Sequence, residues 1–187
     1  MDTDRASDEE LMLRVAGGRR EPLGRLVRRH GSPLLTFIQR MIGDRHRSEE
    51  LFQEVFLAVW DKRRSYRYPK RFRPWLFGIA LNKCKADIRR WSSRAQVIDC
   101  PGDCIADNGP SPVQAAVAAE TAAIVTEAIA RLPAAQRAVV VLRVYNDLKF
   151  REIAQVVGRA EPTVRSQMCH ALTTIRKYLQ PRLNRDE

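Results

Sequence analysis

The residues with the clearest chemical purpose are hydrogen-bonding side chains at helical spacing near the C-terminal end. Thr163, Arg165, Ser166, Cys169 and His170, with Thr173 further along, follow Pro162. Such a face can exchange hydrogen bonds with base edges in a DNA major groove, and Arg165 suits a bidentate contact with guanine. A second set lies in residues 61–94, where cations alternate with Tyr66, Tyr68, Phe72, Trp75, Phe77 and Trp91. Rings stack on unpaired bases while cations follow the backbone, which suits single-stranded nucleic acid. Tyr66, Arg67 and Tyr68 fall in a basic loop and are the candidates for base contact. Phe72, Trp75, Leu76 and Ile79 share one helical face and read as core. Further on, Asn82, Lys85 and Arg89 lie opposite an apolar stripe of Ala80, Cys84, Ile88 and Trp91, so a polar, basic face is left for DNA. Cys100 and Cys104 could pair or supply two metal ligands. A closed zinc site takes four, and His30, His46 and His170 are distant in sequence. The pair reads as incidental thiols, with redox sensing and metal binding as alternatives, and Cys84 as core. No metal and no cofactor is assigned.

The charge distribution supports a polyanionic partner. The 187 residues hold 33 Lys and Arg against 22 Asp and Glu, a net charge of +11. Residues 61–94 hold twelve basic and two acidic side chains, residues 95–130 five acidic and no basic ones, and residues 131–187 eleven basic and five acidic. Single-sign blocks of this kind are the electrostatic footprint of phosphate binding. No apolar run approaches the ~20 residues of a membrane span, and the N-terminus lacks the apolar core of a secretory signal. Four scattered cysteines do not make a secreted disulfide scaffold. The expectation is a cytoplasmic, basic, helical protein with no membrane insertion.

The elements that position these residues are predicted helices. Ser7 and Glu10 form a capping box ahead of Leu11, Leu13 and Val15, and Gly17-Gly18 ends that helix. A second helix is expected over Pro22–His30 and a third over Pro33–Ile42. Ser48 is read as the cap of a fourth, Glu49–Trp60. Pro74 opens a long helix to Trp91. Residues 98–112 hold three Pro, two Gly and three Asp, a linker by composition. Helices resume over Val113–Leu132, Ala134–Tyr145, Phe150–Val157 and Pro162–Leu179. The architecture is therefore all-α: two small helical domains, residues 8–93 and 113–182, joined by a flexible acidic linker over 94–112. Phe150–Leu172 fits a helix-turn-helix. Ala154 is small where its helices cross, Gly158 sits at the turn, and Ile153, Val157, Val164 and Met168 form the buried face.

Four segments in order resemble one family. They are Ser48-Glu-Glu-Leu-Phe-Gln-Glu-Val-Phe-Leu-Ala-Val-Trp60, Phe72-Arg-Pro-Trp-Leu-Phe-Gly-Ile-Ala-Leu-Asn82, Leu132-Pro-Ala-Ala-Gln-Arg137 and Thr163-Val-Arg-Ser166. Together they resemble an extracytoplasmic-function (ECF) sigma factor. The resemblance implies an alternative sigma factor that binds core RNA polymerase and directs promoter-specific initiation. Gln53 and Glu54, with Glu50, would contact the polymerase, while Phe52, Val55, Phe56 and Val59 would be core. The loop Asp61–Arg71, with Tyr66 and Arg67, would take a flipped base of the −10 element, joined by Asn82, Lys85 and Arg89. Thr163, Arg165, Ser166, Cys169 and His170 would read the −35 element. The acidic linker would run toward the RNA path, and an anti-sigma factor would be a partner. The residues at Cys169, His170 and Leu172 depart from the basic or bulky ones common in the family, which leaves Arg165 as the main cation on that face.

Two other functions are weighed against this one. A stand-alone helix-turn-helix regulator of duplex DNA needs neither the aromatic-basic loop nor the Gln53-Glu54 surface. An enzyme with zinc or thiol chemistry at Cys100 and Cys104 would need a general base, a nucleophile triad or a phosphate loop beside them, and none is present. The expectation is not an enzyme. About 18 linker residues span at most roughly 60 Å, while promoter elements about 25 base pairs apart lie ~85 Å apart. Two folded domains and such a tether cover that distance.

Overall fold

A computed structural model describes residues 6–94 and 122–183. The linker, Cys100, Cys104 and the start of the helix expected from Val113 lie outside the described residues. The described chain is helical, with no strand: α1 (Asp8–Ala16), α2 (Glu21–Ile42), α3 (Arg45–Asp61), a 3-10 turn at Arg63–Ser65, α4 (Phe72–Arg94), α5 (122–130), α6 (Ala134–Val144), α7 (Phe150–Val157) and α8 (Glu161–Leu183).

The expected capping box opens α1. Ser7 Oγ accepts from the Glu10 N–H at 3.2 Å, and Glu10 returns a carboxylate to the Ser7 N–H at 2.8 Å. The acidic first turn of α1 has two further tasks. Glu9 accepts from the Phe72 N–H at 3.0 Å, which satisfies one orphan donor at the start of α4 and places a negative charge at its positive end. Asp8 bonds the buried His30 at 2.6 Å and Arg29 at 2.9 Å. The His30 hydrogen bond, with help from Arg29, holds the Asp8 carboxyl below its ordinary 3.8 despite opposing burial. A lowered carboxylate adds stability above its unfolded value and loses it as pH falls through the folded one. Asp8→Asn is therefore expected to cost about 1–2 kcal/mol at neutral pH. The gap should close as pH falls below the ordinary carboxylate range, as read by urea titrations of both chains across pH.

Residues 21–42 form one helix, where two are expected. Pro33 sits inside α2. Leu26, His30, Leu34, Phe37, Ile38 and Met41 make one buried stripe through it without a change of phase. Burial of that stripe outweighs the roughly 3 kcal/mol cost of an interior proline. Gly31 faces the Phe52 ring, where an added Cβ would sit at an ordinary contact distance of 3.6 Å. Gly43, at φ 84°, ends the helix by donating to Gln39 O at 2.7 Å. Ser48 is not the cap of α3. Asp44 takes that place, accepting from the Arg47 N–H at 2.6 Å, while Ser48 is buried one turn further on and donates to Asp44 O. On α4 the stripe through Ala80 and Cys84 is buried, but Trp91 at its end is 56% exposed. Burial pushes the Cys84 thiol up to about 12, so this cysteine is inert core.

The two halves share an interface. One hydrophobic core runs from Leu11 and Phe37 in the first half to Val139 and Ile153 in the second. In it, α4 packs on α7 and α2 on α6. Asn146, buried, donates to Pro33 O at 2.9 Å and accepts from Arg73 through its backbone carbonyl. Arg137 gathers carbonyls from both halves: Met41 O at 2.9 Å, Leu132 O at 3.2 Å, and Ala130 O. Arg40 donates to Thr126 and lies 3.7 Å over the Tyr145 ring. Arg71 pairs with Glu152 at 2.6 Å. The Leu132–Arg137 motif thus does structural work: its arginine ties the end of α2 to the α5–α6 turn.

Candidate nucleic-acid interface

The helix-turn-helix forms as expected. Gly158 adopts φ 66° and donates to Ala154 O, which turns the chain from α7 into α8. Ile153, Val164 and Ala171 are buried, with Val157 and Met168 packed partly against them. Thr163, Arg165, Ser166, Cys169 and His170 are all exposed on the first turns of α8. Arg165 is held in place by two intramolecular contacts. Its guanidinium pairs with Glu161 at 2.6 Å and lies 4.5 Å over the Phe150 ring. Thr173 turns its hydroxyl to Cys169 O at 3.0 Å.

In the first half, the polar α4 face is open to solvent and one of the expected loop residues is not. Asn82 and Arg89 are exposed and Lys85 half-buried, on the side opposite Cys84. Arg67 and Tyr68 are exposed. Tyr66 is not: it is 7% exposed, stacks edge-on against Trp75 and Phe72, and donates its hydroxyl to Lys70 O. Burial, then the nearby Glu9 and Asp8, push its phenol up to about 12. The expectation that Tyr66 presents a free ring is corrected by this packing. The aromatic side chain that the loop does offer is Tyr68, at 54% exposure.

The α2–α3 face carries the third set. Gln53 is exposed, as expected, but Glu50 and Glu54 are engaged. Arg47 bonds Glu50 at 2.6 Å, Asp87 at 2.8 Å and Glu54 at 3.3 Å. Lys83 bonds Glu54 at 2.8 Å and, ahead of the other causes, lowers its carboxyl. Beside Gln53 lies an open groove of about 420 Å³, lined by Arg20, Leu23, Phe56, Leu57 and Trp60. Leu57 is 64% exposed. Arg20 and Arg63 lie 5.5 and 4.2 Å over Trp60. The sequence reading missed this groove. Its signal was present: Leu57 stands four residues after Gln53, off the phase of the core positions Val55 and Val59.

The family description Sigma-70 region 2 matches residues 26–94, and Sigma-70, region 4 matches residues 122–175. The two matches fall one on each half; they contain the α4 face, the exposed α8 face and the α3 side of the groove, while Arg20 and Leu23 precede the first match. The chain belongs to the ECF family of sigma factors. RNA polymerase sigma factor NccH of Alcaligenes xylosoxydans xylosoxydans is 28% identical over 182 residues, 95% of this chain and 97% of that one. RNA polymerase sigma-H factor of Pseudomonas aeruginosa is 29% identical over 184 residues, 94% and 95% of the two chains. The fold is similar to that of the sigma factor RpoE solved with the anti-sigma factor NepR from Bartonella quintana. The TM-score is 0.71 at 19% identity, over 86% of this chain and 98% of that one. Among the described residues of this sigma factor, no helix is long and apolar enough to cross a membrane.

Proposed function

We propose that this ECF sigma factor docks on core RNA polymerase through the Gln53–Leu57 groove. It reads the −10 element with Arg67, Tyr68, Asn82, Lys85 and Arg89, and the −35 element with Thr163, Arg165, Ser166, Cys169 and His170. The observation that carries this reading is the α8 face: five polar side chains exposed together on the first turns of a helix that begins directly after a glycine turn. Glu50 and Glu54 flank the groove as ion-paired rim residues. Tyr66 acts from beneath the loop, fixing the chain that presents Tyr68. The factor works in the cytoplasm and does no chemistry of its own. An anti-sigma factor fits the same groove or the space between the halves.

Promoter elements ~85 Å apart cannot both be reached while α4 packs on α7. In this reading the halves separate at the promoter, and the Arg71–Glu152, Arg73–Asn146, Asn146–Pro33 and Arg137–Met41 bonds open. The test is run-off transcription with purified bacterial core polymerase on a pool of genomic promoter fragments. New transcripts with fixed start sites and shared upstream sequences are expected. Failure to bind core at all would overturn the reading and favour a stand-alone helix-turn-helix regulator.

The −35 contact has its own test. Arg165→Ala is expected to reduce run-off from a cognate promoter about tenfold or more, since a bidentate base contact is worth about 1–3 kcal/mol. Core binding should not change, because Arg165 lies on the other half of the molecule. An unaltered promoter preference in the variant would remove Arg165 from the base-reading set.

A further inference from the structure

A second cavity lies between the halves. It is a cleft of about 720 Å³, within the range of small-molecule sites, and both halves line it. Lys70, Arg71 and Trp75 come from the first half, Lys149, Arg151 and Glu152 from the second. Four cations therefore face one carboxylate. That carboxylate is already committed: Glu152 accepts from Arg71 at 2.6 Å and from the Lys149 N–H at 2.9 Å. Burial raises the Glu152 carboxyl, but these two donors outweigh it and hold the group ionised. The ammonium of Lys70, that of Lys149 and the guanidinium of Arg151 have no ion-pair partner among the described residues. Closure of the halves brings these charges together at a Coulombic cost that an anion would relieve. One wall differs in character. Trp75 is half-buried and braced by Tyr66 and Phe72 at ring distances of 5.2 and 6.1 Å, so its indole is a fixed apolar plate beside the cations.

We propose that this cleft binds a nucleoside polyphosphate, with the phosphates among Lys70, Lys149 and Arg151 and the base against Trp75. A ligand held by cations from both halves stabilises the closed arrangement and opposes the separation that promoter engagement requires. That consequence rests on the sigma reading above, whereas the binding itself needs only the closed structure.

The test is equilibrium dialysis of GTP against the full chain, with inorganic tripolyphosphate and an oligo-dT strand as competitors. Saturable GTP binding is expected. Lys70→Glu in one half and Arg151→Glu in the other should each weaken it about tenfold or more, as the loss of a charge-assisted bond implies. Both side chains are exposed, so folding is not at stake. Arg28→Glu, exposed and outside the cleft, should bind as the parent does. Tripolyphosphate should compete more weakly than GTP. Four results would overturn the proposal. They are no saturable binding, an equal loss in Arg28→Glu, tripolyphosphate competing as well as GTP, or oligo-dT displacing GTP at lower concentration with the same dependence on Lys70 and Arg151. The last would make the cleft a DNA site. Transcription by the unliganded factor is measured separately, so failure here leaves the sigma reading intact.

Discussion

A Leu57→Glu chain is expected to fold like the parent and to bind core polymerase at least about 100-fold more weakly, the loss typical of a central interface anchor. The size of the effect follows from where Leu57 stands. It is the most exposed large apolar residue of the described chain, at 64%, and it borders the groove that Gln53 and Trp60 also line. An apolar side chain left in water has nothing to lose in the free protein, so its replacement leaves stability within about 0.5 kcal/mol. In the complex, the same position would place an unpaired carboxylate in a desolvated contact. Gln53→Ala should show a smaller loss in the same direction, since a hydrogen bond is worth about 0.5–1.5 kcal/mol. Fluorescence anisotropy of labelled chains titrated with core, beside thermal melts, separates the two quantities. Wild-type affinity in Leu57→Glu would remove this groove from the polymerase interface.

The second large effect is on stability. Arg47→Ala is expected to cost about 3–5 kcal/mol, because it strands a buried carboxylate. The Asp87 side chain is 6% exposed and depends on Arg47, which approaches it through Nε at 2.9 Å and through Nη2 at 2.8 Å. Its second oxygen has no hydrogen-bond partner, so little else would compensate. The same guanidinium joins α3 to α4 and orders Glu50 and Glu54 at the edge of the Gln53–Leu57 groove. Exchanging both partners, Arg47→Met with Asp87→Leu, should cost much less than Arg47→Ala alone, since no charge is then buried unpaired. Urea titrations of the parent, the single variant and the pair make the comparison. A loss under about 1 kcal/mol in Arg47→Ala would mean that water already reaches Asp87.

What the sequence made legible was local. The capping box at Ser7 and Glu10, the glycine turn at Gly158 and the exposed spacing from Thr163 to His170 each depend on residues within a turn or two of one another. Periodicity reads such features directly. The misreadings share the opposite property. Pro33 suggests a break because its own cost is local, whereas the stripe that carries α2 through it is set by packing partners far along the chain, such as Phe72 against His30 and Phe77 against Phe37. Ser48 has the chemistry of a cap, but Asp44 lies one turn earlier and takes the role. Tyr66 belongs by composition to a basic loop, and only the folded loop shows it turned inward on Trp75 and Phe72. The contact between the halves had no sequence signal of its own. Its bonds join Arg71 to Glu152 and Asn146 to Pro33, pairs separated by 81 and 113 positions. Arg137 shows the same limit from the other side: its motif was visible, but its task of collecting carbonyls from both halves was not.

The pairing of Arg165 with Glu161 bears on how this factor should respond to salt. A bare arginine meeting DNA frees condensed ions from the duplex, and affinity then falls steeply as salt rises. Arg165 arrives already neutralised by a carboxylate 2.6 Å away. When it transfers to a base edge, Glu161 is left beside the phosphates and gathers a cation of its own from solution. The exchange returns part of what the arginine releases. In the proposed −35 contact, Arg165 is therefore expected to add to sequence discrimination while adding less than a full unit to the ionic-strength slope, and promoter choice by this half is expected to hold at salt concentrations that strip non-specific contacts away.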